Sequence, residues 1–221
     1  MQQVGTKGVA SFTHHGTLDS SGFSRILHAA LFCLSLAALI AGIAVLTLPI
    51  WSGLLYGFSQ RQAARLFTIE QTEIHQGKAV TGDVLGELSI PMIGVEAFVV
   101  QGLTFAPEPA GKLLKQGPAH LVTSALPGGD GNMVILGHLN VWGSVFLRLH
   151  DLRPGNEIRI RTPTGAVYTY QVTGQTTILE TDVAAIAPHG GPPTLQLVTC
   201  GGGWLDRTRV VVNAKLVSQS D

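Results

Sequence analysis

Residues 194–216 read TLQLVTCGGGWLDRTRVVVNAKL. Two short runs rich in Val, Leu and Thr, at 194–199 and 208–216, flank the triplet Gly201-Gly202-Gly203. Short runs of such residues, bounded by Gly and Pro, are the mark of β-strands. Working outward, the same texture reaches back to Gly86, with strand candidates at 87–90, 97–101, 119–122, 132–136, 157–161, 167–173 and 176–179. Turn-forming clusters separate them: PGGDG at 127–131, RPGN at 153–156, TPTG at 162–165 and PHGGPP at 188–193. Gly and Asn supply positive φ in such turns, and Pro presets the first turn position. Short helical turns are expected at 109–114 and 182–187. Strands this short and numerous predict an all-β domain, closed as a barrel or folded as a sandwich.

The N-terminal quarter has a different character. No Asp, Glu, Lys or Arg occurs between Arg25 and Arg61, and residues 26–51 are almost continuously apolar. About 20 such residues cross a hydrocarbon core as a helix. One central charge would cost ~2.5–3.5 kcal/mol on insertion scales, which accounts for the absence of charge. Ala38, Ala41 and Ala44 lie inside the apolar run rather than beyond it, so the segment reads as a retained anchor and not a cleaved signal. The expected organisation is a tail at 1–25, a transmembrane anchor at 26–51, a juxtamembrane spacer at 52–85 and a β domain at 86–217. Within the spacer, Leu66, Ile69 and Ile74 suggest a short helix. Lys7 and Arg25 precede the span while Arg61 and Arg65 follow it, so the positive-inside count does not decide orientation. A short tail before the span and a full domain after it favour a single-pass membrane protein with an exported domain.

Lys+Arg and Asp+Glu both number 14, and 13% of residues are charged. That balance excludes a basic nucleic-acid binder and a disordered acidic tail. Two cysteines exclude a disulfide-stapled scaffold. Cys33 falls in the span and Cys200 at the end of a strand, so Cys200 is expected to be a thiol outside any disulfide. Such a thiol in an oxidising compartment is a liability unless its chemistry is used. The glycines after it remove bulk where a substrate carbonyl would approach. A thiol also needs a base to form thiolate. Of the domain histidines His120, His138, His150 and His189, His138 is nominated because the apolar run Met133-Val134-Ile135-Leu136-Gly137 delivers it at a strand end. Arg207 and Arg209 share a strand face by alternation, and either guanidinium would favour a developing oxyanion. No Cys-x-x-Cys or His-x-x-x-His spacing supports zinc, and no carboxylate cluster supports calcium. No metal or cofactor is expected.

Taken together, these segments resemble a sortase, the membrane-anchored cysteine transpeptidase of bacterial surfaces. The resemblance is carried by GELSIPMIGV at 86–95, ALPGGDGN at 125–132, ILGH at 135–138, LRPGN at 152–156, TLQLVTC at 194–200 and RVVVNA at 209–214. It implies a closed eight-stranded barrel with short helices, with Cys200 as nucleophile and His138 as acid and base. Arg209 is preferred over Arg207 as the oxyanion arginine. It further implies cleavage of an LPxTG-type sorting signal at Thr–Gly through a thioacyl enzyme. Transfer would go to an amine, such as a peptidoglycan cross-bridge or a pilin lysine, on the extracytoplasmic side of the cell membrane. Thr199 lies beside the site in such relatives, Trp142 and Trp204 are candidates for walling the substrate groove, and residues 180–193 for reading the Leu-Pro portion.

Rival readings are a hydrolytic cysteine peptidase, an L,D-transpeptidase and a non-catalytic membrane-anchored β domain. The second expects Ser-His-Gly before the cysteine, where this chain has Val198-Thr199.

Overall fold

The computed structural model describes residues 20–69, 81–104, 112–202 and 207–220. The chain divides between Thr47 and Leu48 into two compact units. One helix, α1 (Ser20–Ile69), supplies residues to both. Arg25–Thr68 includes an 18-residue window of mean hydropathy 2.6, none of it buried, so α1 is long and apolar enough to cross a membrane. Its hydroxyls are turned back on the helix: Ser35 Oγ donates to Phe32 O and Thr47 Oγ1 to Ile43 O. That satisfies them where water is scarce. The helix is unbroken through Ile69 rather than restarting after the span, and Ile74 lies outside the described residues.

The second unit is a closed barrel of eight strands in the spatial order β1-β2-β3-β4-β7-β8-β6-β5. The strands are β1 (Val84–Ile90), β2 (Val95–Leu103), β3 (Ala119–Leu121), β4 (Asn132–Leu136), β5 (Glu157–Arg161), β6 (Val167–Leu179), β7 (Thr194–Cys200) and β8 (Thr208–Ser220). Pairs β2–β3 and β4–β7 are parallel and the rest antiparallel. The expected closed barrel is the observed one. The nine runs read from the sequence become eight strands because 167–173 and 176–179 join as β6. Gly174 does not break that strand; the register against β8 shifts between Val172 and Gly174, a bulge that accommodates the extra residue. A 3-10 turn at Val183–Ile186 matches the expectation at 182–187. Of the turn expected at 109–114, residues 112–114 are described and are helical.

Period-two alternation sorts side chains to the two sides of the wall. Leu88, Val99, Met133, Ile135, Ile158, Leu195, Leu197 and Val212, from six strands, fill the barrel interior at 0% exposure. A smaller cluster of Leu121, Val134, Ile186, Val198 and Val211 lies on the outer side of β4, β7 and β8. Ile186, from the segment between β6 and β7, covers it.

Candidate active site

Register lays the outer face of β4–β7–β8 out in rows. Val134, Gln196 and Asn213 form one row, and Leu136, Val198 and Val211 the next. Beyond Leu136 the ladder continues for one more bond, Gly137 N to Val198 O at 3.0 Å. Gly137 O accepts from Thr199 Oγ1 at 2.9 Å. A Cβ on Gly137 would stand 2.6 Å from the Phe146 ring, so only glycine fits. The chain then leaves the sheet at His138, whose carbonyl accepts from Phe146 N at 3.1 Å. On the other side of β7, Cys200 pairs with Arg209. Cys200 and Arg209 thus stand one outer row beyond Val198 and Val211, and His138 comes directly after Gly137 on the β4 side of β7.

At this end of β7 and β8 the Thr208 side chain occupies the space a side chain at 201 would need. Gly201 N donates to Thr208 O at 2.9 Å, and a Cβ on Gly201 would lie 2.0 Å from Thr208 Oγ1. Gly202 and Leu139 are neighbours, since a Cβ on Gly202 would be 3.3 Å from the Leu139 side chain.

Each sequence-derived candidate can now be located. Cys200 is half-buried, and neither it nor Cys33 is in a disulfide. Arg209 is partly buried; its Nη1 donates to Thr208 O at 2.7 Å and its Nη2 meets Glu180 Oε2 at 3.1 Å. Arg207 is exposed and precedes β8, and its carbonyl accepts from Glu180 N at 2.8 Å. Of the two arginines, Arg209 is the one paired with Cys200. Thr199 is buried with its hydroxyl on Gly137 O, on the opposite side of the strand from Cys200. Trp142 lies on the loop after His138, with Lys115 Nζ 5.0 Å from its ring centroid. Trp204 lies outside the described residues.

The histidines separate by environment. His120 is fully buried, with Nδ1 2.5 Å from Gln101 Oε1 and Nε2 2.9 Å from both Ala125 O and Ser124 Oγ. Burial holds it down at about 4, so it is a neutral structural ring. His150 and His189 are exposed. His138 is half-buried, and its Nε2 is sealed from solvent without a hydrogen-bond partner. Burial first, and the positive charge of Lys115 second, push its pKa below that of an ordinary histidine. At neutral pH it is therefore an uncharged imidazole, competent to take a proton and poor at keeping it. Among the described residues, no group of three or more His, Cys, Asp and Glu is placed to hold a metal ion.

One supporting feature lay hidden in the sequence. Asn132, Gln196 and Asn213 form a side-chain ladder, with Asn132 Nδ2 donating to Gln196 Oε1 at 2.9 Å and Gln196 Nε2 to Asn213 Oδ1 at 3.0 Å. The same amides hold the 180–193 segment, because Asn132 Nδ2 reaches Ala187 O, Gln196 Nε2 reaches Ala185 O, and His189 N donates to Asn132 Oδ1. Gln196 between Leu195 and Leu197 was the available signal: a polar residue that alternates out of an apolar strand has an outer partner to find.

Comparisons with known proteins identify the fold. The sortase-domain family model matches residues 88–217, more than half of the chain. Among solved structures, a Clostridium perfringens sortase D5 transpeptidase is similar at 24% identity and TM-score 0.61, over 74% of this chain and 99% of that one. A SrtA sortase from Actinomyces oris is similar at 24% identity and TM-score 0.57, over 65% of this chain and 85% of that one. Sortase E from Streptomyces avermitilis is similar at 27% identity and TM-score 0.55, over 64% of this chain and 92% of that one. A comparison with curated protein sequences gives no match. With the domain matched from β1 to β8, the chain belongs to the sortase family of cysteine transpeptidases.

Proposed function

We propose that this protein is a membrane-anchored sortase that cleaves an LPxTG-type sorting signal between Thr and Gly and joins the new carboxyl end to an amine. The reading rests on one observation above the rest: Cys200, at the end of β7, pairs with Arg209 on β8, while His138 follows two residues after β4, the strand on the other side of β7. In the first step His138 takes the Cys200 proton and the thiolate sulfur attacks the Thr carbonyl carbon. An S–C bond forms and the oxygen becomes an oxyanion beside Arg209, where a fixed cation is most effective in a site shielded from water. The intermediate collapses as the C–N bond breaks, and His138 returns its proton to the leaving glycine nitrogen. In the second step an amine nitrogen attacks the thioacyl carbon, His138 accepts the amine proton, and the S–C bond breaks to release the thiolate. Trp142, four residues after His138, is the candidate for an apolar wall for the peptide. Sorting-signal proteins are the donors, and a cross-bridge amine or pilin lysine is the acceptor. The barrel works on the extracytoplasmic side.

Mass spectrometry of the full chain in detergent, incubated with an LPxTG-type peptide, tests this. The expected product is a thioacyl adduct on Cys200 that an added amine converts to a ligated peptide. Hydrolysis alone, with and without amine, would overturn transfer in favour of a hydrolytic peptidase. No adduct at all would favour a non-catalytic barrel.

A further inference from the structure

The stretch of α1 from Leu48 onward belongs to the same compact unit as the barrel. Tyr56, Gln60, Ala63 and Phe67 recur at steps of four, three and four, which places them on one helix face. The lower end of that face is apolar, with Ala63 and Phe67 clustered on Val84, and the Phe67 and Phe98 rings 5.3 Å apart. Above it, Gln60 completes the hydrogen bonding of β2 where β3 has not yet begun to pair. Its Oε1 accepts from Phe98 N at 2.7 Å, and its Nε2 donates to Gln116 O at 2.8 Å and Phe98 O at 3.3 Å.

One turn further up, the Tyr56 ring lies against the loop that follows His138. A Cβ on Gly143 would fall 2.3–2.6 Å from three atoms of that ring. The loop is strained, because Trp142, Gly143 and Ser144 have φ of 50°, 84° and 49° in succession. Left-handed backbone costs a non-glycine residue ~1–2 kcal/mol, so two such residues persist only where surrounding structure holds them. The holders are visible on both sides. Tyr56 supports Gly143, and Lys115, next to the Gln116 that Gln60 binds, sits over Trp142. Burial pushes the Tyr56 phenol up to about 12, in keeping with a ring seated under the loop.

We propose that Tyr56 and Gln60 are positioning residues for His138, so that the helix continuing from the anchor is a working strut of the active-site loop rather than a tether. The proposal rests on the reading of His138 as the acid and base of the sortase reaction. The full chain in detergent is assayed for ligation of an LPxTG-type peptide to an amine. Tyr56→Ala is expected to lower kcat roughly tenfold or more with KM within about twofold, as misplacement of a catalytic group does. Tyr56→Phe restores wild-type kcat. Gly143→Ala leaves the helix unaltered but drives a methyl into the ring, and it is expected to reproduce the Tyr56→Ala loss even where Tyr56→Ala fails to fold. Gly165→Ala also substitutes a positive-φ glycine, at φ +97° with nothing within 4 Å, and keeps full activity. Wild-type kcat in both Tyr56→Ala and Gly143→Ala, or a raised KM at constant kcat, overturns the strut while leaving the sortase reading intact. A wild-type protein that forms no Cys200 adduct overturns that reading and the strut with it.

Discussion

The two faces of β4–β7–β8 share one backbone and carry opposite duties. Inside the barrel the rows are Met133–Leu195–Ala214 and Ile135–Leu197–Val212, all at most 2% exposed. Outside, the rows run from Val134–Gln196–Asn213 through Leu136–Val198–Val211 to the Cys200–Arg209 pair, with His138 just past the end of β4. The inner face supplies burial and little else. The outer face passes from amides that hold a loop, through an apolar floor, to groups that can do chemistry. Because a one-residue slip would exchange the two faces, the inner hydrophobes also fix where the outer groups stand. Stability and, under the proposed function, reactivity are thus written on alternate residues of the same strands.

The sharpest way to break this comparison is one substitution on each face. His138→Ala is expected to lower turnover about a thousandfold or more, with thermal unfolding little changed, since general acid–base groups contribute on that scale. Leu197→Ala should do the reverse. It opens a cavity at a position with 0% exposure and should cost about 3 kcal/mol in urea unfolding. Activity per folded molecule should remain. Loss of chemistry in Leu197→Ala at unchanged stability would show that the two faces are not separable.

The arginines give the next contrast. Arg209 is paired with Cys200, whereas Arg207 precedes β8 and is exposed. Arg209→Ala is expected to reduce kcat roughly a hundredfold, the usual range for a lost oxyanion donor. Arg207→Ala should stay within about twofold. The opposite ranking in steady-state kinetics would mean that the oxyanion forms further along the β7–β8 opening than the pairing suggests.

What the residues disclosed, and what they hid, follows the same division. Strand texture and turn clusters indicated an all-β barrel or sandwich, the sortase resemblance implied the closed eight-stranded barrel, and the strand-end positions of His138 and Cys200 nominated both residues. Gly174 misled because a glycine inside a strand reads as a break, while β6 uses it at a bulge against β8. The helix face of Tyr56, Gln60, Ala63 and Phe67 was illegible for a different reason. It mixes aromatic, amide and small residues, and it follows a span so uniformly apolar that no stripe stands out. Gln60 contributes through its hydrogen bonds to Phe98 and Gln116, partners distant in sequence. The difference in environment between His120 and His138 is likewise three-dimensional: Gln101, Ser124 and Ala125 satisfy the first ring, and Nε2 of the second has no hydrogen-bond partner.

The smallest effect falls where the two faces meet. Thr199 belongs to an inner row with Val210, yet its hydroxyl donates to Gly137 O, immediately before His138. Thr199→Val keeps the shape and removes that donor, leaving a buried carbonyl short of a partner, at a cost of about 1–2 kcal/mol. If Thr199 acts only through stability, unfolding shifts and turnover per folded molecule does not. If the bond also sets where His138 stands, kcat falls several-fold at constant KM and Thr199→Ser restores it, because serine can rebuild the bond to Gly137. The second outcome is expected. A hydrogen bond one residue from an imidazole delivered at a strand end constrains the direction in which that ring leaves the sheet.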